Sequence, residues 1–154
     1  MAVEVRATPL TNKIIENLPR RSRRVYDQFE ADLAARGCAA LTYRLSGNTL
    51  DHLCVRHLTR AMRVIVAFES AEVAYVVLVG NHDGSHAQVN VYQQLYALAG
   101  HHPQEQAGRD KPPCCEPNTD EPPVNAAQLD ELLTRMRRFR ASDLRPTLGR
   151  RRGA

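Results

Sequence analysis

From Leu53 to Gly80 apolar residues recur in a rhythm of two, and the rest of the chain is arranged around that stretch. Leu53, Val55 and His57 alternate with Cys54, Arg56 and Leu58, which predicts a strand over Leu53–Leu58. Met62, Val64, Val66 and Phe68 alternate with Arg63, Ile65 and Ala67, which predicts a second strand over Met62–Glu69. Val73–Val79 is apolar at every position, the pattern of a strand covered on both faces. The connections Thr59-Arg60-Ala61 and Ser70-Ala71-Glu72 are short enough to make both joints antiparallel hairpins.

The pattern ahead of this stretch is mixed. Val3 and Val5 alternate with Glu4 and Arg6 as a first strand. Thr8 then reads as an N-cap with Pro9 at the first helical position. Leu10, Ile14 and Leu18 recur every four residues in a short helix that Pro19 ends or kinks. A second helix is predicted from Arg20 to Arg36, striped by Val25, Phe29 and Leu33 and stopped by Gly37. Leu41, Tyr43 and Leu45 alternate as a strand before the turn Ser46-Gly47-Asn48.

Past Gly80, Asn81-His82-Asp83-Gly84 is a loop by composition. Ser85 with Gln88 has the form of a capping box for a helix from about Ala87 to Ala99. The pattern predicts an α+β domain over residues 1–100, a helix hairpin packed on a small antiparallel sheet and closed by a helix. Residues 101–125 hold most of the prolines without periodicity and read as a disordered or extended linker. Residues 126–154 form a C-terminal extension, an amphipathic helix carrying Leu129, Leu132, Leu133, Met136 and Phe139 with a basic tail. That helix either packs on the main domain or waits for a partner.

Composition adds charge and restricts the class. The 154 residues carry a formal charge of +4, nearly all of the positive side chains being arginine rather than lysine. No run of about 18 apolar residues is present, so no transmembrane helix is expected, and the first residues do not read as a secretory signal. Cys38, Cys54, Cys114 and Cys115 are irregularly spaced, which suits free thiols in a reducing cytoplasm better than a disulfide framework. Arg20, Arg21, Arg23 and Arg24 form a basic block at a helix start, where the macrodipole does not favour them. They are either a solvated face or an RNA or partner contact, as is Arg60 in the hairpin turn.

Several of these residues resemble a known family. Ile14-Ile15-Glu16-Asn17-Leu18-Pro19 is similar to the first helix of the RelE/ParE toxin superfamily, and Tyr43-Arg44-Leu45-Ser46-Gly47 to the segment before its active sheet. The hairpin from Arg56 to Met62-Arg63-Val64-Ile65, the strand end Val77-Leu78-Val79-Gly80-Asn81-His82, and Tyr92 also resemble that family over about residues 3–98. The resemblance implies a cytoplasmic type II toxin with a cognate antitoxin protein, an mRNA interferase that cuts at the ribosome without cofactor or metal. In such a reaction the 2′-hydroxyl attacks the adjacent phosphate, which calls for a base, an acid and fixed positive charge.

On the family's pattern Arg63 would hold the transition-state charge, and Arg56 would bind or polarise the phosphate. His82 would be the general acid or base, and Tyr92 would stack on a base. The first hairpin strand has Cys54, Arg56 and Leu58 where mRNA-cleaving relatives carry lysines. Two alternatives therefore stand, a ParE-like inhibitor of DNA gyrase and a non-catalytic binding module on the same fold.

Other polar residues have plainer readings. Arg63 can pair with Glu69 or Asp83, and His57, alternating with apolar residues, reads as a hydrogen-bonded core or edge histidine. His82 and His86 have metal-ligand spacing but flank Gly84 and the cap-like Ser85. His101-His102 with Cys114-Cys115 would need two adjacent cysteines to ligate one ion. No metal or cofactor is assigned.

Overall fold

In the computed structural model, residues 2–45, 50, 52–82, 90–100 and 111–140 are described. The expected turn at Ser46-Gly47-Asn48, the capping box of Ser85 and Gln88, His86, His101-His102 and the arginines after Arg140 lie outside them. Along the chain run β1 (Glu4–Ala7), α1 (Pro9–Glu16), α2 (Arg20–Arg36), a 3-10 turn (Gly37–Ala40) and β2 (Tyr43–Arg44). They are followed by β3 (Leu53–His57), β4 (Met62–Ser70), β5 (Val73–Asn81), α3 (Val91–Ala99) and α4 (Ala126–Met136).

The α+β class is as expected, but the sheet is mixed rather than purely antiparallel. Its order is β1-β5-β4-β3-β2, with β1 parallel to β5 and the other neighbours antiparallel. The hairpin joints fix the antiparallel part, because two short turns can only reverse the chain. β1 reaches β5 through everything between them, so no tight turn dictates its direction.

Local sequence explains the helix ends. Thr8 Oγ1 accepts from Thr11 N–H at the start of α1, with Pro9 at the first position. α2 spans the predicted residues and stops at Gly37, whose φ of +60° is open to glycine and strained for other residues. α3 starts at Val91, capped by Asn90, not at Ala87 as the sequence suggests.

The sheet divides two cores. On one face Tyr26, Phe29 and Leu33 of α2 pack against Val64, Val66 and Phe68 of β4. On the other, Leu95 and Leu98 of α3 and Leu129, Leu132, Leu133 and Met136 of α4 cover Val55, Ile65 and Val77. β4 and β5 are therefore buried on both sides. A bulge displaces Val77 between the pairs Ile65–Leu78 and Val66–Val76, and Thr11 Oγ1 donates to its carbonyl at 2.7 Å.

The C-terminal helix does not wait for a partner. Its four apolar residues are at most 5% exposed, a burial worth about 1.5–3 kcal/mol for each side chain. Arg135 of α4 ties it to α3 by donating to the Leu98 carbonyl at 3.0 Å, near the negative end of that helix.

The expected linker is not disordered over residues 111–125. Arg44 N–H donates to the Pro112 carbonyl, and Arg44 pairs with Glu116 at 3.0 Å. Val124 bridges to Phe68 on β4. The expectation of free thiols is overturned as well, since Cys38 is joined to Cys115 and Cys54 to Cys114. The chain bends at Cys114 and Cys115, which lets neighbouring side chains turn in different directions. The adjacent Cys114 and Cys115 thus reach different partners, one on β3 and one on the 3-10 turn.

Candidate functional site

Strand register assembles one group of polar side chains where β3 ends, β4 begins and β5 ends. His57 pairs across with Arg63, and Arg63 with Gly80, so the three positions form one row over three strands. Gly80 has a specific role in that row. A Cβ there would stand 3.2 Å from Val91 Cγ2, so the bare backbone lets α3 close on the sheet. That approach brings Tyr92, the next residue of α3, beside the row.

Tyr43 comes in from the other side. It pairs with Val55 on β3, and its side chain shares a face with His57 two residues further on. Tyr43 Oη lies 3.0 Å from His57 Nε2 and 3.4 Å from Tyr92 Oη. Lys111, on the strap formed by residues 111–125, brings its ammonium 5.1 Å from the centre of the Tyr43 ring. His82 stacks edge-on against Tyr92 with ring centres 5.0 Å apart.

Hydrogen bonding fixes the tautomer of His82. Asn90 Oδ1 accepts from the Tyr92 N–H at 2.8 Å, which assigns the amide orientation and leaves Nδ2 as a donor. Nδ2 lies 3.1 Å from His82 Nδ1, which must then accept. The ring proton of neutral His82 is carried on Nε2.

Arg63 is 9% exposed, and its Nη1 donates to the carbonyls of Thr59 and Arg60 at 3.3 and 2.9 Å. It thus braces the hairpin turn rather than pairing with Glu69. Among the described residues no carboxylate is paired with Arg63, the ion pairs there lying elsewhere. Partial burial lowers the pKa of His57, and the positive charges of Arg63, Lys111 and His82 lower it further. Its imidazole is neutral at neutral pH. Burial raises the Tyr92 phenol, the Tyr43 contact adds to that, and nearby Arg63 opposes it. Tyr92 therefore stays protonated.

The structure brings together Arg63, His82 and Tyr92 of the expected residues and leaves Arg56 out. Arg56 points to the opposite face, toward α2, because it is one residue out of phase with His57. There Nη1 donates to Asp32 Oδ2 at 2.8 Å and to the Ala40 carbonyl at 2.9 Å, and the guanidinium lies over Phe29. Arg20, Arg21 and Arg24 are exposed at the start of α2, while Arg23 is engaged with Asp27 at 2.9 Å. Arg60 is exposed in the β3–β4 turn.

Sequence reasoning missed Tyr43, His57, Asn90 and Lys111. The signal for His57 was present: the same alternation that sets it apart from Arg56 puts it beside Arg63 once the hairpin is closed. No such signal existed for Lys111, which reaches the site because the two disulfides and the Arg44–Pro112 and Arg44–Glu116 contacts hold its strap.

The group combines two imidazoles, two cations and two phenols. It suits an anionic ligand with planar parts, and it can move protons near neutral pH. No model of a known protein family matches the chain, and no characterised protein matches it.

Proposed function

We propose that the chain is a RelE-like toxin that cleaves mRNA, attacking the phosphodiester with the substrate's own 2′-hydroxyl. What supports this most is the row of His57 and Arg63 flanked by His82, an acid–base pair about a fixed cation. Neutral His57 takes the proton of the 2′-hydroxyl as its oxygen attacks phosphorus. Arg63 and Lys111 stabilise the charge that develops on the non-bridging oxygens. The 5′-oxygen leaves with the Nε2 proton of an imidazolium His82, which returns that ring to its neutral form. The products are a 2′,3′-cyclic phosphate and a 5′-hydroxyl.

Tyr43 and Tyr92 orient the imidazoles and offer ring surface to the bases. Compared with the expectation from sequence, Lys111 takes the phosphate-binding part given to Arg56, and His57 is added as the base. The order of strand, helix hairpin and antiparallel strands is consistent with the resemblance noted above. In this reading the protein is cytoplasmic, is neutralised by a cognate antitoxin and meets its mRNA on the ribosome.

Induced expression in a bacterial host, with mapping of mRNA 5′ ends, tests the reading. Growth arrest with new in-frame cuts is the expected result. Arrest with intact mRNA and a DNA-damage response would replace it with gyrase inhibition. No arrest would leave a non-catalytic binding module.

A further inference from the structure

A cavity of about 250 Å³ opens next to this group, where the corner between α1 and α2 meets the ends of β4 and β5. Its apolar lining comes from Ile14, Leu18, Met62 and Val79. Its polar lining comes from Asn17, Ser22, Asn81 and Gln94, of which Gln94 is 2% exposed. The volume falls below the roughly 300–1,000 Å³ usual for small-molecule sites, so it suits one planar group rather than a whole nucleotide.

Register relates the cavity to the proposed reaction. Gly80 forms part of its wall and pairs with Arg63, so the cavity begins one strand spacing, about 4.8 Å, from the backbone of that residue. Asn81 lines it, and the next residue is His82. On the far side, Pro19 and Ser22 belong to its rim, and the exposed Arg20, Arg21 and Arg24 stand around them. The cavity thus lies between the strand end that leads into His82 and the helix start that carries Arg20, Arg21 and Arg24.

We propose that this cavity seats the nucleobase next to the scissile phosphate and selects adenine. The inference rests on the ribonuclease reading above and deepens it. A carboxamide presents an acceptor and a donor side by side, the complement of the adjacent donor and acceptor on adenine. Asn17, Asn81 and Gln94 supply three such groups and no ionic one. The apolar lining takes the face of the ring, and the arginines at the start of α2 hold the phosphates that follow.

The test is binding of fluorescein-labelled ten-nucleotide RNAs of A, C, G or U to the full chain, followed by anisotropy at two salt concentrations. Oligo-A should bind at least about fivefold more tightly than the others, the lower end for one bidentate base contact. Asn81→Ala, at an exposed residue whose backbone pairing is kept, should remove that preference. Ser22→Trp, which fills the cavity from α2, should do the same. Salt-dependent binding with equal affinity for all four RNAs overturns the adenine seat and leaves the ribonuclease reading standing. An oligo-A preference that survives both substitutions also overturns the seat. No binding to any RNA overturns the seat and the reading on which it rests.

Discussion

Opening the two disulfides should remove a large part of the protein's stability. Cys38 and Cys115 are separated by 77 residues, and in the chain-entropy view a loop of that size is worth about 4.5 kcal/mol. The second bridge cannot count as an independent 60-residue loop, because Cys114 is already tethered next to Cys115. With the first bridge in place it closes a ring of only about 17 residues, through Cys38–Cys54 and the Cys114–Cys115 bond, adding about 3 kcal/mol. Together they approach 7–8 kcal/mol, comparable with the roughly 5–15 kcal/mol of a whole domain. At about 2–4 °C for each kcal/mol, reduction should lower Tm by roughly 15–30 °C.

The assay is calorimetry of the native chain with and without dithiothreitol, alongside alkylation and peptide mapping. Two cross-linked peptide pairs, Cys38 with Cys115 and Cys54 with Cys114, should appear before reduction. Four alkylated cysteines in the untreated native protein, or a Tm that reduction does not move, would refute the reasoning. The result also bears on where the protein works. Cross-links of this kind persist in an oxidising medium and open in a reducing cytoplasm. In the proposed cytoplasmic toxin the strap would be held without cross-links, by the Arg44–Pro112 and Arg44–Glu116 contacts that keep Lys111 beside Tyr43.

Other expected outcomes follow from particular contacts. Arg56→Ala should cost about 1–2 kcal/mol in a urea melt, through the Asp32 and Ala40 bonds, while RNA cleavage persists. Arg36 and Arg56 hold the Asp32 carboxyl well below its usual range. Its stabilising effect is therefore complete above the ordinary carboxylate value of about 3.9 and is lost as pH falls below it, a loss that Asp32→Asn should abolish. Gly80→Ala should make Val91 give by a few tenths of an ångström, shifting the neighbouring Tyr92 and lowering kcat at least about tenfold. The pH–rate profile should rise with deprotonation of His57 at a pH below its ordinary value of about 6.5, and Lys111→Ala should move that limb upward. His57 is favoured neutral in the fold, so its contribution to stability is present above that value and declines as pH drops below it.

Much of the architecture was legible because it is governed by local periodicity. The alternation in Met62–Phe68 assigned each residue to the face it occupies, and Val73–Val79 is covered on both sides as its composition suggests. Thr8-Pro9 and Gly37 marked helix ends through backbone chemistry that needs no tertiary context. What escaped was decided by contacts distant in sequence. The parallel pairing of β1 with β5 has no local signature. Adjacent cysteines looked unsuited to a framework because nothing in the sequence shows that Cys38 and Cys54 converge on the same strap. Arg56 drew a functional role from the family resemblance although its own phase set it apart from Arg63. Asn90, which caps α3 and fixes His82, takes effect only after α3 has docked.

The central claim is that His57, Arg63 and His82 form a site for RNA transesterification. Its most direct test is to incubate the purified full chain with labelled mRNA, free and on stalled ribosomes, and to analyse the product ends by mass spectrometry. The account predicts fragments with 2′,3′-cyclic phosphate and 5′-hydroxyl ends, formed by the native protein and lost in His57→Gln and His82→Gln variants that still melt cooperatively. Intact RNA under both conditions, or cleavage that survives both substitutions, would contradict it.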